Sequence, residues 1–282
     1  MLVTIYTPTK NRQASLAKAV DSVLNQTYHN IELIVVNDGS TDGTGEYLKK
    51  RAKLDKRLKY FNKSVSEGAP AARNLAIENA EGYFITGLDD DDEFLPIRIQ
   101  AFVDYWGMLT NLGYKPSCLY AQDIVTRYGE VFFTSKKKGM VSVDDLFEFN
   151  YIGNQIFAPK LHFIEAGLYN QDLPAWQDLE FSMRILKKFG SAHLLDCATQ
   201  LYDDSPKQDR ISINAETKLR NAYNQIVNIH ASTSQRNAQK LIFQMFSKYY
   251  GIRPKIIDWI KFMKLGFWPK GLLKMAASTF RL

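Results

Sequence analysis

Cysteine is scarce: Cys118 and Cys197 stand far apart, and neither belongs to a Cys-x-x-Cys or Cys/His cluster. That pattern suggests neither a zinc site nor a disulfide framework, and it fits a reducing compartment. Histidine is equally thin, with four residues and no pair at metal-ligand spacing. No run approaches the roughly 18 apolar residues that a membrane span needs. The opening Met-Leu-Val-Thr-Ile-Tyr-Thr-Pro lacks the basic leader and cleavage region of a secretory signal and reads instead as a first strand. The expectation is a cytoplasmic protein that does not cross a bilayer. No glycine lies between Thr7 and Arg12, where a Gly-rich phosphate loop would need it, and no serine or cysteine arrangement suggests a covalent nucleophile.

Acidic charge is nearly missing from the C-terminal stretch. From Tyr250 onward Arg253, Lys255, Lys261, Lys264, Lys270, Lys274 and Arg281 face Asp258 alone, which accounts for the whole formal charge of +6. The rest of the chain is neutral and the tail carries no recognised nucleic-acid motif, so nucleic acid is not an expected partner. Between Lys255 and Trp268, Ile256, Trp259, Ile260, Met263 and Phe267 share one helical face, with Lys255, Lys261 and Lys264 towards the other. Such a helix suits the headgroup region of an anionic membrane. The alternative is a helix packed on the catalytic domain or on a second subunit.

What is present is ordinary globular material: 45% hydrophobic and 23% charged residues in 282, enough for one large α/β domain with an appendage. Leu2 to Tyr6 alternates as a strand does, and Leu16, Val20, Val23 and Leu24 then recur at helical spacing. Ile31 to Val36 is a continuous apolar run, expected of a strand covered on both faces, and it stops at Asn37-Asp38-Gly39-Ser40-Thr41-Asp42-Gly43. A short strand near Tyr60, a helix opened by Pro70 and a strand from Tyr83 to Leu88 follow. Three strands thus finish in polar loops, and in an open parallel sheet such loops converge on one crevice. Further on, Arg98 to Leu109 and Asp178 to Phe189 read as helices, Cys118 to Val125 and Val131 to Phe133 as strands, and residues 206 to about 250 as mainly helical.

Asp89 to Glu93 places five acidic residues directly after a buried-type strand, where repulsion is costly unless positive charge sits among them. Mg2+ or Mn2+ takes carboxylate oxygens and completes its shell with water and substrate phosphates. A solvated acidic turn is the plainer alternative. Asp38 can accept hydrogen bonds from a base or a ribose and Gly39 permits close backbone approach, although Asp-Gly is first a turn signal. Arg73 falls in the first turns of a helix, where its planar fork suits a phosphate. A surface arginine would look the same in sequence.

The segments Thr7-Pro8-Thr9-Lys10-Asn11-Arg12, Gln26-Thr27-Tyr28, Asn37-Asp38-Gly39-Ser40-Thr41, Ala72-Arg73-Asn74 and Leu88-Asp89-Asp90-Asp91-Asp92 come in an order and spacing that resembles family 2 glycosyltransferases. The resemblance is strongest to about residue 100 and traceable to about residue 200. It implies a GT-A type α/β fold, a mostly parallel Rossmann-like sheet flanked by helices. Residues 1–205 would form the catalytic domain, with 1–100 binding the nucleotide sugar and 101–205 the acceptor, and 206–282 a helical, basic C-terminal extension. The implied activity is inverting hexosyl transfer from a nucleotide-diphosphate sugar, a UDP-sugar first of all, to an acceptor hydroxyl with Mn2+ or Mg2+.

On the same resemblance Thr7, Pro8, Thr9, Asn11 and Arg12 line the nucleotide pocket with Asp38, Gly39, Arg73, Asp89 and Asp90. The Asp-x-Asp motif falls on Asp89 and Asp91, with Asp91 as first choice of metal ligand and the register open by one residue, because Asp90 and Asp92 are also acidic. Trp176-Gln177-Asp178-Leu179-Glu180 occupies the place of a late Glu-Asp pair. Gln177 replaces the usual Glu, and Asp178 is the expected catalytic base; an N-cap of the following helix is its alternative. Trp176 either stacks on an acceptor sugar or packs. Gln177 and Gln155, in Gly153-Asn154-Gln155, are further acceptor-side candidates. The competing readings are a metal-dependent nucleotidyltransferase and a non-catalytic nucleotide-sugar or glycan-binding module. By analogy alone, the setting is synthesis of a bacterial surface polysaccharide or glycolipid, with a glycan or lipid-linked acceptor, peripheral on the inner face of the cell membrane.

Overall fold

The computed structural model describes residues 1–154, 156–205 and 216–280. Its first half runs β1 (Val3–Thr9), α1 (Gln13–Leu24), β2 (Ile31–Asp38), α2 (Thr44–Leu54), β3 (Leu58–Lys63), α3 (Ala69–Glu78), β4 (Phe84–Gly87), β5 (Glu93–Phe94) and α4 (Arg98–Asn111). The second half runs β6 (Leu119–Arg127), β7 (Glu130–Thr134), β8 (Met140–Val141), α5 (Val143–Leu146), β9 (Ala158–Pro159), α6 (Lys160–Glu165), α7 (Gln177–Phe189) and β10 (Ala192–Asp203). The described extension holds α8 (Glu216–His230), α9 (Gln235–Met245), α10 (Ile256–Lys264) and α11 (Pro269–Phe280). The part of the expected helical stretch at 206–215 lies outside the described residues.

The first sheet has the order β3-β2-β1-β4-β9, parallel except for β9. Every residue of β2 is buried, as its unbroken apolar run requires. Successive residues serve opposite faces: Ile5, Leu33 and Val35 join the cluster under α1 and α4, while Tyr6, Ile34 and Val36 join the one under α3. Strand order reverses at β1, between β2 and β4, which is where ligands bind in such sheets. Gln26 locks this frame, its amide donating to Leu95 O at 2.9 Å and accepting from Ile99 N at 3.0 Å, so the end of α1 is tied to the far side of the acidic loop.

A second sheet of order β5-β10-β6-β7 stands beside the first, with β8 also on β10. The sequence reading did not anticipate β10. Its register shifts between Leu195 and Ala198 and again before Gln200, which breaks the period-two pattern that marks a strand.

The extension is welded to the second half. Leu219, Ile226, Leu241, Met245, Phe262 and Met275 belong to one hydrophobic cluster with Phe163, Phe181 and Leu186. α10 packs on the protein, the second of the two alternatives drawn from the sequence. Asp258 and Phe262 pack inward, with Arg220 gripping both Asp258 oxygens and Trp268 stacked on Phe262 at 6.2 Å between ring centroids. Ile256 (82% exposed), Ile260, Met263 and Phe267 (72% exposed) are left open, and only Trp259 of that face is partly covered, donating to Thr279 Oγ1 at 3.2 Å. Among the described residues no helix is long and apolar enough to cross a membrane.

Candidate active site

Asp38 closes β2 with 4% of its surface exposed. Its carboxylate accepts from Ser66 Oγ at 2.6 Å, Gly68 N at 2.8 Å, Glu67 N at 3.0 Å and Lys63 Nζ at 3.0 Å. Burial would raise its pKa, but these four donors more than offset that and hold the group below the usual carboxylate range. Gly39 follows at φ +72°, and a Cβ there would stand 2.8 Å from Ser66 N. The close approach that needs a glycine is therefore between two loops of the protein itself.

Arg73 sits in the first turns of α3, which opens from Gly68 with Pro70 in its first turn. Its Nη2 donates to Asp89 Oδ1 at 3.0 Å, its guanidinium lies 5.4 Å from the ring centroid of Tyr169, and its buried Nε has no partner among the described residues. Tyr169 is fixed in turn by a 2.8 Å hydroxyl contact with Tyr6.

The acidic loop alternates. Asp90 is buried, accepting from Thr9 Oγ1 at 2.7 Å and Arg12 Nη1 at 3.1 Å, and Asp92 is buried against Gln200 Nε2 at 2.7 Å and the Asp203 amide at 3.2 Å. Asp89 and Asp91 are the more exposed pair, and Asp91 also accepts from Arg12 Nη1 at 3.1 Å. Burial pushes the Asp90 carboxyl up to about 6, with Thr9 and Arg12 opposing and Asp91 and Asp89 adding to the rise. Burial likewise drives Asp92 well above the usual range. The positive charge that five acidic residues call for is thus met in part by Arg12 and Arg73.

Pro8, Thr9, Asn11, Arg12, Asp38, Arg73, Asp89, Asp90 and Asp91 all line one cavity of about 640 Å³. Ser66, Tyr202, Asp203 and Tyr249 also line it, and the sequence reading missed all four. Tyr202 and Asp203 ride on the unanticipated β10, while Ser66 and Tyr249 carry no local signal. Asn11 adopts φ 53° and stitches two loops together, its amide donating to Ser40 Oγ at 2.8 Å and its Oδ1 accepting from Thr41 N at 2.7 Å. Thr7 is not on the wall: its side chain is buried inside β1.

The acceptor-side candidates gather at the start of α7. Asp178 lies within the first turn and accepts from Asn150 Nδ2 at 2.8 Å, and its charge reaches Arg73, Tyr169 and Tyr250. It is not the N-cap. Trp176 holds that position in a left-handed conformation, φ 59°. The Trp176 indole is 7% exposed and donates to the Tyr250 hydroxyl at 2.9 Å, so its ring serves the interior instead of a sugar face. Gln177 is turned back to Leu173 O at 2.9 Å. Gln155 lies outside the described residues. Buried Glu180 anchors α7 between Arg184 at 2.8 Å and His230 Nε2 at 3.0 Å, and these hydrogen bonds hold its pKa down against its burial.

Among the described residues no group of three or more His, Cys, Asp or Glu side chains forms a ready cation cage. Phosphate-handling sites hold Mg2+ through only one or two carboxylates together with the substrate's phosphates. Asp89 and Asp91, hard oxygen donors on the cavity wall, fit that pattern.

Residues 4–163 match the family model described as Glycosyl transferase family 2. A protein of Escherichia coli (strain K12), named as a proposed colanic acid biosynthesis glycosyl transferase, WcaA, is 33% identical over 92% of this chain and 90% of its own length. The GalNAc(5)-diNAcBac-PP-undecaprenol beta-1,3-glucosyltransferase of Campylobacter jejuni is 40% identical over 33% of this chain and 30% of its own. In three dimensions, S. aureus TarS 1-349 in complex with UDP-GlcNAc superposes with a TM-score of 0.68 over 99% of this chain and 82% of that one, at 16% identity. The mannosyltransferase PcManGT of Pyrobaculum calidifontis, with GDP-Man and Mn2+, gives 0.61 over 99% and 84%, at 14% identity. The shared architecture is the GT-A type expected from the motifs. With sheet, loops and family model in agreement, the chain belongs to glycosyl transferase family 2 and is a glycosyltransferase.

Proposed function

We propose that the protein is an inverting hexosyltransferase that uses a uridine diphosphate sugar and a divalent cation at Asp91 and Asp89. Its acceptor would be a hydroxyl of a glycan or lipid-linked saccharide in bacterial surface polysaccharide or glycolipid synthesis. The observation that carries this reading is the convergence of Asp38, Arg73, Asp89 and Asp91 on one cavity, with Asp178 within electrostatic reach of Arg73. The activities for which the E. coli and C. jejuni relatives are named support the acceptor class, and the UDP-GlcNAc complex of TarS supports the donor.

Each residue then has a task set by its chemistry. Asp38 is saturated by four donors, so a base or ribose donor must replace one, and the rotatable Ser66 hydroxyl gives way most cheaply. Arg73 brings a permanent charge and an unpaired N–H to the leaving diphosphate at a helix start. Asp91 and Asp89 would hold a divalent cation, which would supply further compensation of that charge. Asp178, oriented by Asn150, takes the acceptor proton as its oxygen attacks the anomeric carbon from the side opposite the diphosphate. No covalent enzyme intermediate is required.

The open apolar face of α10, flanked by Lys255, Lys261 and Lys264, is the proposed contact with an anionic membrane surface where a lipid-linked acceptor resides. The decisive assay offers a panel of nucleotide sugars with Mn2+ to wild type, Asp91→Ala and Asp178→Ala. One sugar nucleotide should bind, Asp91→Ala should weaken it, and Asp178→Ala should bind without turnover; no binding at all would defeat the reading. For the membrane, Ile260→Asp with Met263→Asp should lower co-sedimentation with anionic vesicles severalfold, and equal sedimentation would remove that part. Substitution is preferable to truncation because Phe262 and Met275 belong to the core.

A further inference from the structure

Arg12 borders two cavities at once: the 640 Å³ cavity, and a neighbour of about 440 Å³ that also takes in Asp91 and Asp203. A single nitrogen, Nη1, stands 3.1 Å from Asp90 Oδ1 and 3.1 Å from Asp91 Oδ2. This one cation therefore bridges carboxylates of adjacent residues, and one of them, Asp91, is a proposed metal ligand. The arrangement is held from several sides. Asn11 fixes the turn through Ser40 and Thr41, and Thr9 pins the other oxygen of Asp90 at 2.7 Å.

A comparison within the molecule separates exchange from mere structure. Arg98 has no exposed surface and is sandwiched between Phe94 and Phe102 at 4.5 and 4.7 Å. Nothing from solvent can reach it. The Arg12 side chain keeps 30% of its surface open where both cavities meet, and an ion pair so exposed is weak enough to trade partners. We infer that Arg12 is an exchangeable counter-cation: without nucleotide it neutralises Asp90 and Asp91 and competes with the divalent cation, and when metal and nucleoside diphosphate arrive together it passes to the diphosphate.

The inference rests on the proposed donor and metal reading and deepens it, because it makes metal and nucleotide bind cooperatively. Metal alone must displace Arg12 with no new partner for it, whereas nucleotide offers one. The test is titration calorimetry of the intact protein with Mn2+ alone, UDP alone and both, for wild type, Arg12→Gln, Arg12→Lys and Asp91→Asn, with melting curves to verify folding. Arg12→Gln should bind Mn2+ alone at least about 5-fold more tightly than wild type, and UDP in the presence of Mn2+ at least about 5-fold more weakly. Arg12→Lys, which keeps the charge, should stay near wild type in the first measurement. If Arg12→Gln leaves the Mn2+ affinity unchanged while binding with UDP still needs Asp91, the exchange is refuted and the metal site survives. If no variant binds Mn2+ even with UDP, the metal reading falls and the exchange falls with it.

Discussion

Buried carboxylates in the cleft and in the C-terminal extension meet opposite fates. In the extension Asp258 and Glu216 share Arg220, and Lys255 also pairs with Glu216, two charges against two; Asp258 accepts from the Lys255 amide at 2.8 Å and is held below the usual range although burial alone would raise it. In the cleft Asp90 shares Arg12 with Asp91 and has Asp89 nearby, and burial carries it up to about 6. Burial is common to both; charge balance is not. Matched charge ties the extension in place, while the crowded carboxylates of the cleft carry a cost in stability, the usual trade at functional sites.

The largest test of this contrast is Asp178→Asn, which should lower transfer about 10²- to 10⁴-fold, the range for a general base, while UDP binding by calorimetry stays within error. In the extension the loss should fall on stability. Arg220→Ala leaves Asp258 buried without its partner and should cost about 3 kcal/mol in denaturant unfolding, with UDP affinity of the folded protein unchanged.

Acid titration of stability separates the two regions by sign. Asp258 has a lowered folded pKa, so its stabilisation is complete above the ordinary aspartate value and lost as pH falls through the folded one; Arg220→Ala should flatten that acid limb. Asp90 has a raised one, so metal-free protein should lose stability as pH rises from about 4 to about 6, and Asp90→Asn should remove its share of that decline, roughly 2–3 kcal/mol, leaving the share of Asp92, which burial also raises. Melting temperatures measured across pH 3 to about 8 would show both slopes. The smallest expected effect is that of Tyr250→Phe. It removes the hydroxyl that receives Trp176 Nε1 and should cost about 1 kcal/mol in unfolding, with kcat reduced more than KM because the turn before Asp178 loosens.

The first half was legible to a large degree. Parallel strands buried on both faces leave continuous apolar runs, and their functional ends leave polar clusters, so β1, β2, β4 and the loops after them could be read directly. The second half was legible only in part: β6, β7 and α7 were, and β10 was not. β10 is bulged and mixed in polarity; Gln200 and Asp203 on it are bonded to Asp92 across about a hundred positions of chain, and Tyr202 beside them lines the cavity. Trp176 had no way to announce that its ring would turn inward to Tyr250.

Local pattern by itself determined that this chain would build a doubly covered parallel sheet with acidic and basic groups at one edge, because hydrophobic periodicity and turn chemistry act over a few residues. It also determined an amphipathic, basic α10. Only the tertiary structure decided which carboxylates face the cavity, that Arg12 and Arg73 already sit among them, and that α10 buries Asp258 and Phe262 while leaving Ile256 and Ile260 open. Those outcomes depend on charges and volumes contributed by residues far apart in sequence, and no local window contains them.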